Sequence, residues 1–336
     1  MSGDVTPNRI IQTGFRFLAS KALFAAVELG VFTELAEEPL TREALEERLD
    51  LHPRASADFL DALVALGFLE RDDGLYRNAP DADLYLDQNK ETYVGDALAL
   101  GNNRMYPAWM NLADAVRTGE PQVDLDDDDE YFNALYEADE RLERFASSMT
   151  GFSLAVATVI AETFEWEEYE TVCDLGTAEG QVPVTIAEKN PHIEATAFDL
   201  PKLEPISMEF IAERGMDDRV SFHGGNFLED PLPEHDVFIL GRIIHDWGLS
   251  GKKEILERAY EALPEGGVLL VYGTMIDNER RENEMGLLVS LNTLVETADG
   301  FDYTPQECET WLREVGFSKT EVRDLPTPET MVVATK

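Results

Sequence analysis

The second half of the chain repeats one pattern: a short apolar run, a turn of small or polar residues, then a helix-length stretch. The runs are Thr171–Leu175, Glu194–Phe198, Arg219–Phe222, Asp236–Leu240 and Gly267–Tyr272. Strands so far apart cannot be joined by tight hairpins, and the intervening segments are long enough for crossover helices. The rhythm therefore predicts a parallel sheet covered on both faces. Gly316 and Phe317 precede two late runs, Lys319–Arg323 and Met331–Ala334, which add an antiparallel pair at one edge. This is an α/β plan.

Residues 20–78 read differently. Ala22, Leu23, Ala26 and Leu29 form a helical stripe closed by Gly30. Thr41 is placed to cap a second helix carrying Leu45 and Leu49. A third starts near Pro53, turns Phe59, Leu60, Leu63 and Val64 to one side, and ends at Gly67. Phe68–Arg71 and Leu75–Asn78, either side of Asp72-Asp73-Gly74, form a hairpin. Three helices and a hairpin make a winged helix. Such modules often bind DNA through the third helix, yet that helix offers Arg54 alone against Asp58 and Asp61. Duplex readers spend cations on phosphates and guanine edges, so a dimerisation or scaffold role fits better.

Charge points the same way. Lys and Arg number 27 against 68 Asp and Glu, leaving −41 on 336 residues, a field that repels nucleic acid and anionic membranes. The acidity is spread along the chain and only 8 of the bases are Lys, a balance suited to a cytosol of molar salt where screening removes self-repulsion. One acidic run, Asp126–Glu130, reads as a solvated loop. Cys173 and Cys308 are too few for a disulfide framework and lack zinc spacing, so no metal site is expected. The N-terminus lacks a basic stretch leading into an apolar one, and no apolar run reaches the length of a membrane span. The expectation is a soluble, reduced, cytoplasmic protein.

Chemistry concentrates at the turns after the strands. The first strand enters Asp174-Leu175-Gly176-Thr177-Ala178-Glu179-Gly180, where small residues let the backbone approach a ligand. The second ends at Asp199, a carboxylate able to bridge ribose hydroxyls. Nicotinamide-binding folds share this plan, and a tight turn can also bind nothing. The spacing here, however, is G-x-A-x-G, and an acid at the entry repels a pyrophosphate while suiting a cationic sulfonium nucleoside. His245 follows the fourth strand at the same sheet edge, where an imidazole can accept a hydroxyl proton or simply pack. Phe145, Met149 and Phe152 recur at i, i+4, i+7, a stripe that core packing also explains.

Six stretches together identify the chain as similar to a known family: DLGTAEG (174–180), FDLP (198–201), GGNFLEDPLP (224–233), HDW (245–247), ALPEGGVLLVYGTMID (262–277) and GFDYTPQECETWLREVGF (300–317). They resemble the small-molecule O-methyltransferases of the caffeate and acetylserotonin type, together with bacterial polyketide methyltransferases. The resemblance implies a Rossmann-like methyltransferase domain, mostly parallel and doubly wound, behind an N-terminal all-helical winged-helix dimerisation domain. It divides the chain into a dimerisation domain at 1–95, a helical linker at 96–165 that contributes to the substrate pocket, and an S-adenosylmethionine-binding domain at 166–336. Asp174, Gly176 and Gly180 would surround the methionine part of S-adenosylmethionine, Asp199 and Leu200 the ribose side, and Asn226 with Phe227 the adenine. Arg242 falls near a basic cofactor contact. Phe145, Met149 and Phe152 would line the methyl-acceptor pocket, and His245 would be the general base. Partners implied are a small-molecule methyl acceptor and a second copy of the chain.

Departures from the family pattern carry weight. Thr177 and Ala178 stand where the family has glycines, and Asn226 where it has an acid. Gly273 occupies the position of a Glu that orients the histidine, which leaves Asp302, matching the second family acid, as the partner of His245. A retained cofactor site with altered chemistry (C-methylation, decarboxylation or hydroxylation) is a second reading. A non-catalytic cofactor-binding or regulatory winged-helix protein is a third.

Overall fold

The computed structural model describes residues 5–123 and 139–336, so the acidic run Asp126–Glu130 lies outside the described residues. The chain divides into two compact units, one ending at Arg104 and the other beginning at Met105.

In the first unit local chemistry sets each boundary. The Thr41 hydroxyl accepts the Ala44 N–H and starts the helix Arg42–Arg48. Pro53 opens the helix Pro53–Leu66, His52 Nδ1 accepts the Arg54 N–H, and Gly67 ends it at a left-handed φ of 87°. Strands β2 (Leu69–Asp72) and β3 (Leu75–Asn78) are joined by Asp73 and Gly74, both at positive φ, which gives the turn the twist of the strands. The unit is not all-helical, contrary to the expectation. Strand β1 (Leu40–Thr41) pairs with β3 and completes a three-stranded sheet in the order β1-β3-β2. The edge of β3 left open by the hairpin supplies its hydrogen-bonding groups. Leu45, Leu60 and Leu63 are fully buried in the core beneath.

The second unit is built on a seven-stranded sheet in the order β6-β5-β4-β7-β8-β10-β9. Strands β4 (Thr171–Leu175), β5 (Glu194–Asp199), β6 (Val220–Gly224), β7 (Val237–Gly241) and β8 (Val268–Gly273) run parallel. Strands β9 (Lys319–Asp324) and β10 (Thr330–Thr335) form the expected antiparallel edge pair, β10 bonding to β8. Asp236, one residue before β7, fixes the start of β4 with its carboxylate, which accepts the main-chain N–H of Glu170 and Thr171, while its own carbonyl accepts the Val268 N–H. The strand order reverses at β4, which has β5 on one side and β7 on the other. That switch point opens a crevice at the carboxyl ends of these strands. Cys173 and Cys308 are free and buried, and no group of potential metal ligands occurs among the described residues.

Two helical stretches, Asn8–Glu28 and Arg141–Thr163, are long and apolar enough by length and composition to cross a membrane, which corrects the expectation that no run reaches that size. Small residues and one apolar face raise their average. The first breaks between the helices Asn8–Gly14 and Phe17–Glu28 and carries Arg9, Arg16 and Lys21. The second belongs to the helix Asp139–Thr163, whose Val156, Ala157 and Ile160 are buried in the core of the sheet-bearing unit.

Candidate active site

A cavity of about 510 Å³ opens at the carboxyl edge of the sheet. Phe145, Met149 and Phe152 project into it from the helix Asp139–Thr163, so the stripe left open between core and pocket lines the pocket. Asp174, Gly176, Asp199 and Leu200 line it from β4, β5 and the turns after them, and Asn226, Phe227 and Arg242 from the turns after β6 and β7. Gly180 is not in the wall. It starts the helix Gln181–Lys189 at φ 104°, with Ala197 and Ser207 close behind it.

The turn after β4 is held by its neighbour strand. Gly176 and Thr177 both donate their N–H to the Phe198 carbonyl, at 2.8 and 3.2 Å. Ala178, one of the two replacements for family glycines, sits at φ 54°, where a Cβ is strained by about 1 kcal/mol or more. Its N–H donates to Asp199 Oδ2 at 2.9 Å, which holds it there, while Leu200 N–H donates to Oδ1 at 2.7 Å. Burial pushes the Asp199 carboxyl up to about 6 despite these donors, and pushes Asp174 up to about 7. Among the described residues neither carboxylate has a Lys or Arg partner. A buried acid, Asp174, and a half-buried one, Asp199, left without a cation fit a ligand that brings positive charge and hydroxyl groups.

Asn226 turns inward on its own loop: its Oδ1 accepts the Leu228 N–H at 3.0 Å, leaving the amide NH₂ for other partners. Phe227 meets Trp247 edge to face, centroids 6.2 Å apart. Arg242 adopts φ 57°, pairs with the buried Glu329 and lies over the Phe152 ring at 5.4 Å.

His245 and Asp302 stand just behind the wall, while Asp246 and Trp247 next to His245 are part of it. His245 Nδ1 is 3.2 Å from Asp302 Oδ1, and Asp302 Oδ2 accepts the Thr293 hydroxyl at 2.7 Å. On the other side His245 Nε2 lies 3.5 Å from Asp246 Oδ1. Burial disfavours the imidazolium, but the Asp246 and Asp302 carboxylates outweigh it and raise His245 to about 9. The histidine is thus bracketed by two carboxylates although the family Glu is absent. A Cβ added at Gly273 would meet nothing within 4 Å, so a side chain has room there.

Three residues in or beside the cavity were not singled out from sequence. Asp246 went unread although it follows His245. Tyr272 sits in the cavity wall, its phenol pushed far up by burial. Lys252 is completely buried. Its only sequence signal was phase: Lys252, Ile255, Leu256 and Ala259 share one helical face. Burial pulls its ammonium down to about 8, although Asp302, Asp246 and Asp299 oppose the shift.

Residues 109–318 match the family model of an O-methyltransferase domain, and residues 11–88 that of an O-methyltransferase dimerisation domain. This chain belongs to the O-methyltransferase family. It is 41% identical to the tetracenomycin polyketide synthesis 8-O-methyl transferase TcmO of Streptomyces glaucescens, over 98% of this chain and 97% of that protein. It is 36% identical to the N,N-dimethyltransferase OxyT of Streptomyces rimosus, over 92% of this chain and 90% of that one. Human N-acetylserotonin methyltransferase, solved with S-adenosylmethionine, superposes with a TM-score of 0.90 at 29% identity, covering 100% of this chain and 99% of that one. The enzyme is accordingly an S-adenosylmethionine-dependent methyltransferase. Asp174, Asp199 and the glycine turn fit that cofactor.

The empty space at Gly273 gives one prediction. Gly273→Glu should fold and raise kcat by up to about tenfold on less acidic hydroxyls, since base catalysis matters most there. Turnover across a series of phenols of rising pKa measures it, and an unchanged slope removes Gly273 from the mechanism.

Proposed function

We propose that this O-methyltransferase methylates a hydroxyl of a small aromatic, enolic or quinonoid molecule, with His245 as the base. The observation that carries the reading is the His245–Asp302 pair at 3.2 Å, beside a cavity that has apolar side chains on one wall and uncompensated carboxylates on the other. When bound, S-adenosylmethionine supplies a methyl group already activated by its sulfonium. Asp174 and Gly176 would hold its methionine part with Gly180 behind them, Asp199 and Leu200 its ribose, Asn226 and Phe227 its adenine, and Arg242 would stand nearby. Phe145, Met149 and Phe152 clamp a flat acceptor by apolar contact and exclude water. His245 in its neutral form accepts the acceptor proton at Nε2, the ring nitrogen turned away from Asp302 and 3.5 Å from Asp246 Oδ1, and the Asp246 and Asp302 carboxylates together steady the resulting imidazolium. Asp302 is in turn fixed by Thr293.

A second reading rests on Gly273: the missing Glu fits a relative that keeps the cofactor site and alters the reaction, and the Streptomyces rimosus relative bears the name of an N-methyltransferase. Product analysis separates an oxygen acceptor from nitrogen or carbon. The enzyme is further read as a cytoplasmic homodimer adapted to salt. Ile10, Ile11, Phe15 and Leu18, exposed in the single chain within the region matching the dimerisation model or next to it, supply an apolar surface for a second copy.

The test is calorimetric titration of the purified protein in molar KCl with S-adenosylmethionine and then S-adenosylhomocysteine. Micromolar binding of both, followed by methyl transfer in a screen of phenols and hydroxyquinones, supports the reading. A folded protein that binds neither would mean that Thr177, Ala178 and Asn226 have disabled the site, and the regulatory reading would replace it.

A further inference from the structure

We propose that Lys252 is a positioning residue for methyl transfer: its buried ammonium clamps the main chain on both sides of His245 to the loop carrying Asp302, so that acid and imidazole are held as one rigid pair. The inference rests on the reading of His245 as the base.

An ammonium has three donors and no acceptor. In Lys252 they go to the Ile244 carbonyl at 2.6 Å, the Trp247 carbonyl at 2.6 Å and the Phe301 carbonyl at 2.8 Å, with the His245 carbonyl at 3.4 Å. Ile244 and Trp247 flank the His245-Asp246 pair, and Phe301 directly precedes Asp302. The charge also lies 4.0 Å from the Phe301 ring centre and 5.6 Å from that of Tyr303. The joint it closes is tight: a Cβ at Gly300 would come within 2.8 Å of the Asp246 main chain, and one at Gly248 would collide with the Asp299 carboxylate.

Stability alone does not account for a lysine here. The helix Leu249–Ala262 presents Ile255, Leu256 and Ala259 on the same buried face, and an apolar residue at 252 would extend that face without burying a charge. What the ammonium adds is direction, because it ties three carbonyls from two separate loops to one point. Two loops that close a catalytic pair tolerate little play, since a displacement of about 1 Å can cost 10²-fold in rate.

The experiment compares wild type with Lys252→Met, an apolar side chain of similar length, by NMR of histidine-labelled protein. The His245 signals are assigned by their loss in His245→Gln. The charged groups acting on the His245 imidazole are Asp246, Asp302 and Arg242, and the Lys252 ammonium lies 3.4 Å from the main-chain carbonyl of His245. Wild type should show a hydrogen-bonded Nδ1–H and an imidazole that titrates above the ordinary range. In Lys252→Met that proton signal should vanish and the midpoint should fall by about one pH unit or more, as loss of the Asp302 contact requires. With an acceptor from the phenol screen, kcat should fall by about tenfold or more while S-adenosylmethionine affinity stays within about threefold. Unchanged His245 signals would overturn the proposal. So would a midpoint that rises with the Nδ1–H retained, which is the response to losing a nearby cation and nothing else. If Lys252→Met does not hold its fold, Lys252→Gln, which reaches fewer of the carbonyls, is read in the same way. His245→Ala tests the base separately. Full turnover in that variant removes the underlying reading, whereas impaired turnover there beside a normal Lys252→Met removes the role of Lys252 alone.

Discussion

Gly176→Arg abolishes S-adenosylmethionine binding and leaves the sheet folded. Gly176 lies at φ 82°, a conformation that costs a side-chain-bearing residue about 1–2 kcal/mol, and a Cβ there collides with Ile243 Cδ1. Ile243 lines the same cavity, so relief comes only by pushing it or the new side chain into the cofactor space. The guanidinium would then meet Asp174, the carboxylate left for a cationic ligand. The strain is small against a stability of about 5–15 kcal/mol for a domain, so the protein should fold. Titration calorimetry should show no heat of binding while circular dichroism stays native, and retained micromolar affinity would refute this placement of the cofactor. A pH dependence accompanies the same acids. Asp174 and Asp199 hold their protons to about 7 and about 6 in the free protein, and a cationic ligand favours the carboxylate. Affinity should therefore increase as pH rises through 6 to 7. The sign for folding is opposite: the folded state binds these protons more firmly than the unfolded chain, so their contribution to stability is present below about pH 4 and lost as pH rises through 6 to 7.

His245→Ala lowers kcat by about 10² or more with S-adenosylmethionine affinity nearly unchanged, the usual range for loss of a general base being about 10²–10⁴. The base must be neutral to act, and Asp246 and Asp302 hold its proton to about 9 against the effect of burial. Wild-type kcat/KM should therefore rise with pH toward 9, and this limb should disappear in His245→Ala. Because the folded pKa lies above the unfolded value, the imidazolium stabilises the fold fully below about pH 6.5 and this contribution fades as pH rises through 9. An acceptor screened from phenols supplies the rate. Turnover equal to wild type would take His245 out of the mechanism, and an acidic phenol that loses little would mark positioning as the larger part of catalysis.

Much of this was legible locally. The parallel strands follow from apolar runs separated by helix-length intervals, and their ends shifted by one or two residues. Arg219, Asp236 and Gly267 each fall one residue ahead of the strand proper, although their carbonyls already accept the N–H of Ala195, Val268 and Lys336, so the runs marked the flanking residue as well as the strand. The wing was legible from the Asp73-Gly74 turn, whereas β1, two residues long, has no periodicity to detect. At the site, Asp174, Gly176 and Asp199 announced themselves because each stands at a strand end, where chain position alone puts a residue at the crevice, whereas Asn226 and Phe227 came from the resemblance.

The sequence by itself therefore determined the layered fold and the position of the strand-end turns, since these depend on spacing along one stretch of chain, while the reaction class came from the resemblance of six stretches to the O-methyltransferases. Tertiary structure decided the rest. The Phe145, Met149 and Phe152 stripe became pocket wall because the sheet left a crevice for it to face. Asp302, 57 positions from His245, was expected as its partner from the resemblance alone, and the structure added Asp246 on the other ring nitrogen, so that two carboxylates bracket the imidazole. Lys252 became a clamp because two loops converge on its ammonium. Contacts between residues far apart in the chain depend on how the layers pack, and no local pattern encodes them.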